Sequence, residues 1–530
     1  MKMNISAQFK NIAIVFSTSC ILSIPLSAQE QDSVSITSDR LELYKSSNLW
    51  INTLNSAGLN LSETFSYTDA NGGYTYTKGD FRRQQEGKKN NGFLFNAEGA
   101  TTLKGAYLWG KFSLETEKKR EARFNASIID PFRGMPYIIA DDRSSDWRLQ
   151  YYNLETKVST PKLFDKFYAG IGINYNVSTG AKQLDPRPEN KYYSLELTPS
   201  IVWTINDKHN LGGVFYYKNM HEISEIVFKN SYENATFYYL EGLGSFTQTT
   251  GTGRQRDYRG NTFGGELQYS IQSEKSDFLL SGGYIYSYED VIDGSYKIIN
   301  DARTASDNYF GNIALVFKGE KHRHKLFANA SYQNINGIFY DKVKDPNDPV
   351  VGQIILYKKT RSKFKTTQFD LGYDYYKLRG TGYLWHTGTK VTYVMQKDNY
   401  LLPQPDVASS FQNIHRYDFD IHGKYNINKG LPFNGQLLIG ASAIYSLAED
   451  CELNYGGPNK DHIVINELLN KDFLFLSENY WKLMFDAQYS IPLTISNRAV
   501  NAYGKVNGYV VPEVNNSKRA NLTVSIGFIL

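Results

Sequence analysis

The chain has 530 residues and a formal net charge of +4, from 58 Lys and Arg against 54 Asp and Glu. This balance argues against a nucleic-acid-binding protein. The mean hydropathy of −0.46 is that of a water-soluble protein, yet 15% of the residues are aromatic, with 41 Tyr and 30 Phe. Beyond residue 26 no apolar run approaches the length of about 20 residues that a membrane-spanning helix needs.

Residues 1–28 have the features of a secretory signal peptide. Lys2 and Lys10 precede an apolar run over residues 12–26, and the small residues Ser27 and Ala28 follow it. We predict cleavage after Ala28, which takes the net charge to about +2. An alternative is that Cys20 is the lipid-accepting cysteine of a lipoprotein. Loss of the leader leaves Cys451 as the sole cysteine, so no intramolecular disulfide can form.

Residues 29–72 form a separate predicted segment. Its apolar residues, which include Leu41, Leu43, Trp50 and Leu54, follow neither the period of a strand nor that of a helix. Three interpretations remain open for this segment: a periplasmic strap, an insert in a barrel lumen, and a loosely ordered extension.

Residues 73–530 alternate between apolar and polar side chains in many separate stretches. In residues 416–426 the odd positions are aromatic, aliphatic or Gly, and the even positions are charged or polar. A period of two places each set on one face of a strand. About 18 such segments can be counted, with 16 as the next possibility, and bacterial barrels have an even number of strands. The predicted fold is all-β: a transmembrane, antiparallel, up-and-down β-barrel.

The predicted connections alternate between short and long along the chain. Short polar links lie at residues 206–210, 273–277, 319–322, 379–382, 428–431 and 496–498. Long links lie at residues 222–261, 291–307, 341–363, 396–411 and 448–471. Short periplasmic turns and long extracellular loops are typical of outer-membrane barrels. The final segment, residues 521–530, alternates and ends on Leu530, which resembles the signal read by the barrel-insertion machinery.

Two short stretches carry a family resemblance. They are Asn55-Ser56-Ala57-Gly58-Leu59, within residues 50–59, and Gly79-Asp80-Phe81-Arg82-Arg83. With the leader and the barrel pattern, the chain resembles a family of uncharacterised outer-membrane β-barrel proteins of Bacteroidota. The resemblance implies a porin-like or accessory barrel, often found near TonB-dependent transporters, and brings no catalytic residue with it.

Charged residues on the polar faces of the predicted strands are candidates for lining the lumen. They are Asp370, Asp374, His386, Lys390, Arg416, Asp418, Asp420, His422, Lys424, Lys482, Asp486 and Lys505. They can line a wet channel or brace the wall as ion pairs. If a hairpin turns near residues 378–381, Asp374 lies opposite His386. We interpret this pair as wall bracing, with a pH-sensitive or catalytic dyad as the alternative.

Two basic groups fall in predicted outward loops. They are Lys118, Lys119 and Arg120, and Arg254, Arg256 and Arg259. Guanidinium and ammonium groups bind phosphates, so contacts with lipopolysaccharide or an anionic ligand are one interpretation. A solvated loop is the other interpretation.

No nucleophile signature, metal-ligand spacing or cofactor motif stands out, and we expect a non-enzymatic protein without a cofactor. The expected partners are outer-membrane lipid and lipopolysaccharide, the barrel-insertion machinery and, by resemblance, a TonB-dependent transporter. The sequence predicts an outer-membrane channel for small polar solutes. An accessory barrel that partners a TonB-dependent transporter is the alternative, and an outer-membrane hydrolase is third.

Overall fold

The structure is a computed structural model and describes residues 36–530, apart from 63, 231, 233–234, 252–253, 295–298, 348–351, 402–408 and 496–497. The predicted leader, its cleavage point and Cys20 lie outside the described residues. Within the described residues, no helix combines the length and apolar character needed to cross a bilayer.

Eighteen strands form one antiparallel sheet in which each strand pairs with its neighbours along the chain. The last strand pairs with the first, with Asp69 opposite Ile529 and Gly79 opposite Arg519, so the sheet closes into a barrel. The predicted up-and-down barrel of about 18 strands is therefore confirmed. The barrel strands are β1 (Tyr67–Gly79), β2 (Lys89–Leu103), β3 (Ala106–Ala122), β5 (Ser145–Ser159), β6 (Phe167–Lys182), β7 (Arg187–Thr204), β8 (His209–Val227), β11 (Arg254–Gln272), β12 (Ser276–Asp293), β13 (Ile299–Lys318), β14 (His322–Lys344), β15 (Gln353–Arg379), β16 (Gly382–Tyr400), β17 (Ser410–Ile427), β18 (Gln436–Asn454), β19 (Tyr480–Ile495), β20 (Arg498–Val514) and β21 (Ser517–Ile529).

The remaining elements are not part of the barrel wall. Strands β4 (Ile139–Ala140), β9 (Ala235–Gly242) and β10 (Ser245–Gly251) form a small separate sheet in the order β10-β9-β4. The helices are α1 (Ser38–Ser47) and α2 (Asn470–Leu476), with 3-10 turns at Ser56–Asn60 and Pro432–Asn434 and a π-helix at Val464–Leu469.

Because the strands run up and down, the connections divide between two rims, and the longest ones all lie at one rim, although the two-residue turn 515–516 lies there too. At the short-turn rim, two residues join β15 to β16, and the beginning of β1 lies beside the end of β21. At the long-loop rim, residues 123–144 join β3 to β5 and residues 455–479 join β18 to β19.

The predicted long loops are too long at several places, because the strands continue into them. Strand β15 begins at Gln353, inside the predicted loop 341–363, and β18 continues to Asn454, inside the predicted loop 448–471. The alternation of apolar and polar residues ends where the outer face of a strand leaves the lipid. The backbone hydrogen bonds between neighbouring strands continue beyond that point. Periodicity therefore underestimates the length of a strand that projects beyond the bilayer.

The outer face of the barrel carries the apolar set of each strand. Leu267 is 75% exposed and Leu371 is 62% exposed. Most of the other large apolar side chains at the surface also point outward from the barrel. A closed barrel with such a wall is suited to a bilayer, because every strand is paired and no edge is left open.

Residues 36–62, named the plug from here on, lie inside the barrel at the short-turn rim. Their contacts reach strands on opposite sides of the ring: Asn55 Nδ2 lies 2.7 Å from Gln268 Oε1 of β11, and Ser38 Oγ lies 3.5 Å from Ser490 Oγ of β19. Of the three interpretations of the amino-terminal segment, the geometry matches a lumenal insert. The first strand begins at Tyr67, before the predicted boundary at residue 73.

We expect Leu371→Arg to destabilise the barrel by about 2–4 kcal/mol, because it places a charge on the lipid-facing wall. Gln368→Arg, on the opposite face of the same strand, is the matched control, since the new guanidinium can pair with Asp370. The measurement is equilibrium unfolding by guanidinium chloride in phospholipid vesicles. Equal destabilisation by the two substitutions would contradict the assignment of the two faces.

Candidate functional site

The predicted lumen residues occupy the polar faces of five strands. Asp370 and Asp374 lie on β15, His386 and Lys390 on β16, Arg416 to Lys424 at the even positions of β17, Lys482 and Asp486 on β19, and Lys505 on β20. In each of these strands they alternate with exposed apolar residues, which include Leu371, Val391, Ile421, Phe485 and Val506. The backbone therefore directs them into the interior.

Helix α1 of the plug is held to the wall by charged groups. Lys424 Nζ lies 2.9 Å from Glu42 Oε1 and 2.8 Å from Asp486 Oδ2, so one ammonium group joins the plug to two strands. The carboxylate of Asp39 accepts hydrogen bonds from Asn426 Nδ2 at 2.9 Å and from Gln436 Nε2 at 2.8 Å.

On the other side of the lumen, Lys45 Nζ lies 2.7 Å from Glu98 Oε1 of β2. Trp109 Nε1 donates a hydrogen bond to the same carboxylate oxygen at 3.1 Å. The ion pairs made by α1 thus anchor it to opposite parts of the ring.

The 3-10 turn of the plug depends on backbone contacts and close packing. The Ala57 N–H donates to Ser200 Oγ at 3.1 Å, and Ser159 Oγ donates to the Ala57 carbonyl at 2.9 Å. A side chain on Gly58 would overlap with the buried indole of Trp50. The hydrogen bonds of Ala57 to the wall and the packing of Gly58 against Trp50 together fix the position of the 3-10 turn in the lumen.

The long-loop rim is closed by three segments, together named the lid: residues 123–144, the β9–β10 hairpin and residues 455–479. Phe124, Ala140, Tyr238 and Val464 from these segments form one buried apolar cluster. The plug has apolar packing as well: Leu41 and Leu59 belong to one buried cluster with residues of the wall, and Trp50 belongs to a second.

Polar contacts fasten the lid to the wall. Buried Glu222 of β8 accepts hydrogen bonds from Ser127 Oγ at 2.6 Å and from the Ile128 N–H at 2.8 Å. Arg133 Nη2 lies 2.7 Å from Glu289 Oε1 of β12. Residues 123–144 therefore reach into the lumen and do not simply extend outward.

The predicted pair Asp374–His386 does not form. Asp374 lies opposite Gly388, because the turn pairs Arg379 with Gly382 and the register then shifts by one more residue beside Lys377. The partner of Asp374 is His422 of β17, whose Nε2 lies 3.0 Å from Asp374 Oδ1, and His422 Nδ1 lies 3.3 Å from Asp420 Oδ1. His386 stacks on Tyr376 instead.

Arg416 and Asp418 also have specific partners. Arg416 Nη2 donates to the Phe475 carbonyl at 3.2 Å, at the carboxyl end of α2, and so joins the wall to the lid. Asp418 accepts a hydrogen bond from Ser446 Oγ of β18. The Lys482 ammonium lies 4.5 Å from the centre of the Tyr509 ring.

Neither basic group lies in a loop, contrary to the prediction. Lys118, Lys119 and Arg120 belong to β3, and Arg254, Arg256 and Arg259 belong to β11, because both strands continue beyond the predicted loop boundaries. Arg256 is 2% exposed and lies 3.0 Å from Asp301 Oδ2, whereas the Arg259 side chain is 46% exposed. Arg259 and Lys118 point outward, and each has an aspartate partner: Arg259 Nη2 lies 3.1 Å from Asp257 Oδ2, and Lys118 Nζ lies 3.5 Å from Asp146 Oδ2.

Sequence reasoning missed the residues of the plug and lid that make these contacts. Asp39, Glu42 and Lys45 recur every three residues, a spacing that places polar groups along one side of a short helix. The search for apolar periodicity did not use that signal. In the described parts of the chain, no group of three or more His, Cys, Asp and Glu could hold a metal ion.

We expect Lys424→Ala to weaken docking of the plug by about 1–3 kcal/mol, because Glu42 and Asp486 lose their shared partner. Limited trypsin digestion of the purified barrel in detergent measures the effect as faster cleavage at Arg40 and Lys45. The control is Lys482→Ala, which removes a lumenal lysine that contacts Tyr509. If both variants are cleaved at the rate of the wild type, the ion pairs do not hold the plug.

Comparison with solved structures finds barrels of low similarity. The RagAB peptide transporter has 9% identity and a TM-score of 0.41, covering 88% of this chain and 87% of that one. The outer membrane transporter YddB from Escherichia coli has 9% identity and a TM-score of 0.39, covering 87% and 80%. A FadL homologue of Pseudomonas aeruginosa has 10% identity and a TM-score of 0.31, covering 90% and 92%. These likenesses assign neither a ligand nor an activity to this chain.

No match was found among curated protein sequences. A family model does match, and it extends from residue 56, inside the plug, to residue 530. Because the match covers the whole barrel, the chain belongs to the family of unknown function DUF6850.

Proposed function

We propose that this protein is a gated, non-enzymatic conduit for small polar solutes in the bacterial outer membrane. In this proposal the short-turn rim faces the periplasm and the plug is the gate. The observation that carries it is a polar lumen whose mouth is closed by a short segment that ion pairs and hydrogen bonds join to the wall. The signal peptide and the resemblance to barrels of Bacteroidota remain predictions from the sequence.

The width of the ring supports a wet interior. Barrels of 16 to 18 strands are wide enough to leave an aqueous channel when nothing fills them. Between the plug and the lid the wall presents Asp370, Asp374, Lys390, Asp420 and His422. Mixed charges of this kind are stable in contact with water, and they suit the passage of polar solutes better than that of apolar ones.

The chemistry of the plug supports reversible opening. The plug binds through groups such as Asp39, Glu42 and Lys45, and water can replace each of these contacts when the plug leaves. A hydrogen bond exchanged for one with water changes the free energy by only about 0.5–1.5 kcal/mol. The polar contacts therefore favour a plug that can leave its site and return, whereas the burial of Leu41, Trp50 and Leu59 opposes its release.

Contacts outside the barrel belong to the same proposal. The exposed side chain of Arg259 and the outward Lys118 are suited to phosphate groups of lipopolysaccharide. The alternating strand β21 is the element we expect the barrel-insertion machinery to recognise.

A second candidate function is a non-conducting accessory barrel that partners a TonB-dependent transporter. The lid favours it, because the buried cluster of Phe124, Tyr238 and Val464 makes opening of the long-loop rim costly. In that case plug and lid are permanent fillings and the outer surface carries the function.

Conductance in planar bilayers separates the two candidates. Ser38→Cys with Ser490→Cys, in a Cys451→Ser background, places two thiols where hydroxyl oxygens lie 3.5 Å apart. We expect the oxidised variant to stay closed and a reductant to raise the open fraction by about tenfold or more. Ser38→Cys alone is the control, since it cannot form the cross-link.

Two deletions complete the measurement. One variant lacks residues 36–60, and a second also lacks residues 456–478 of the lid. Steady conductance from either supports the conduit. If both fold and remain silent, the conduit is excluded and the accessory barrel is favoured.

A further inference from the structure

A β-bulge turns one arginine into the lumen below the lid. Gly337 of β14 pairs with Ser362 of β15, but Ile338 pairs with Thr360, so Arg361 has no opposite residue. Successive residues of a strand normally face opposite sides, yet Arg361 and Ser362 are both buried. Bulges redirect a side chain in this way, and they occur often beside functional sites.

The Arg361 side chain is 6% exposed and, among the described residues, makes no hydrogen bond or ion pair. The Arg361 guanidinium carbon lies 5.8 Å from the centre of the Phe339 ring. The arginines around it are paired: Arg133 with Glu289, Arg256 with Asp301 and Arg303 with Asp290. A buried cation without a partner is costly, and an anion would remove that cost.

A second unpartnered donor lies beside the bulge. Tyr137, in the lid, is 1% exposed, and its hydroxyl has no hydrogen-bond partner within the described chain. Its ring lies 6.4 Å from that of Phe339, the ring that Arg361 also contacts. A Cβ on Gly337 would lie 3.2 Å from the Tyr137 hydroxyl, so the hydroxyl sits directly at the bulge. Burial raises the pKa of the Tyr137 phenol, which therefore keeps its proton and can donate it to a hydrogen bond.

The nearby carboxylates are already engaged. Glu241 Oε2 accepts a hydrogen bond from the Tyr400 hydroxyl at 2.6 Å, and its Oε1 accepts one from Thr247 at 2.9 Å. Asp301 lies between Arg256 and Lys342. Arg361 is thus a buried cation that no carboxylate of the described chain contacts.

We propose that Arg361 and Tyr137 form a binding site for a small oxyanion, a phosphate or carboxylate group, on the lumenal side of the lid. The guanidinium donates in a planar fork and the phenol adds a neutral donor, a combination that suits the oxygens of such groups. Arg361 lies some 18 residues from the short-turn end of β15. This is about 60 Å along the strand, or about 40–50 Å along the axis of a barrel with tilted strands, which is beyond an apolar band about 25 Å tall. The site therefore lies beyond the membrane-spanning part of the wall, beneath the lid at the long-loop rim.

As a statement about the transported solute, this inference rests on the proposed conduit and makes that solute anionic. The binding site itself does not require conduction. A barrel that binds oxyanions but stays silent in a bilayer would keep the site and lose the conduit. A conducting barrel without oxyanion binding would do the reverse.

The test is calorimetric titration of the full barrel in detergent with inorganic phosphate, and separately with acetate, at constant ionic strength. Binding of either supports the site, and the stronger of the two identifies the group it takes. We expect Arg361→Gln to weaken binding by about tenfold or more, and Tyr137→Phe to weaken it less. Arg303→Gln removes the same charge from a paired arginine and should change affinity by less than about twofold.

Unfolding measurements guard against a purely structural role for Arg361. Without added anion, Arg361→Gln should be at least as stable as the wild type, because it removes an unpaired buried charge. Phosphate or acetate should then raise the unfolding midpoint of the wild type and not that of the variant. Failure of both anions to bind the wild type, equal loss in Arg361→Gln and Arg303→Gln, or destabilisation by Arg361→Gln in the absence of anion would each overturn the proposal.

Discussion

The pairing of β1 with β21 is the constraint on which the rest of the molecule depends. A sheet in lipid cannot leave N–H and C=O groups unpaired, and closing the ring satisfies both edge strands at once. The closed ring then fixes two environments for every strand, lipid outside and the lumen inside. Leu371 and Asp370, neighbours in the chain, are assigned to opposite environments by that single geometric fact.

The polar lumen of an 18-stranded barrel has to be filled with water or with protein, and in this chain protein segments fill both mouths. Both fillings combine polar contacts with apolar packing. Lys424 with Glu42 joins the plug to the wall, and Leu41 and Leu59 of the plug are buried against the wall. The lid has an apolar centre around Phe124 and Tyr238. Water competes well for the polar contacts and poorly for the apolar ones, so the buried apolar side chains set most of the cost of opening either mouth.

The sequence was sufficient for features that repeat along the wall. Alternation in residues such as those of β17 predicts the fold, the strand number and the direction of each side chain, because lipid imposes the same demand on every strand. It was insufficient for features that occur once. A register shift beside Lys377 separated Asp374 from His386, and a bulge at Arg361 reversed one side chain. The place of the plug was left open among three interpretations, because its helix is marked by the spacing of Asp39, Glu42 and Lys45 and not by that of apolar residues.

The short connection between the plug and the wall has a kinetic consequence. Only residues 61–66 separate the 3-10 turn at Ser56–Asn60 from the first residue of β1, and six residues span at most about 20 Å. A displaced plug would remain tethered near its own mouth, at a high effective concentration. Its return would be an intramolecular step. The rate of that step would depend on the length of the linker and not on the concentration of the barrel in the membrane.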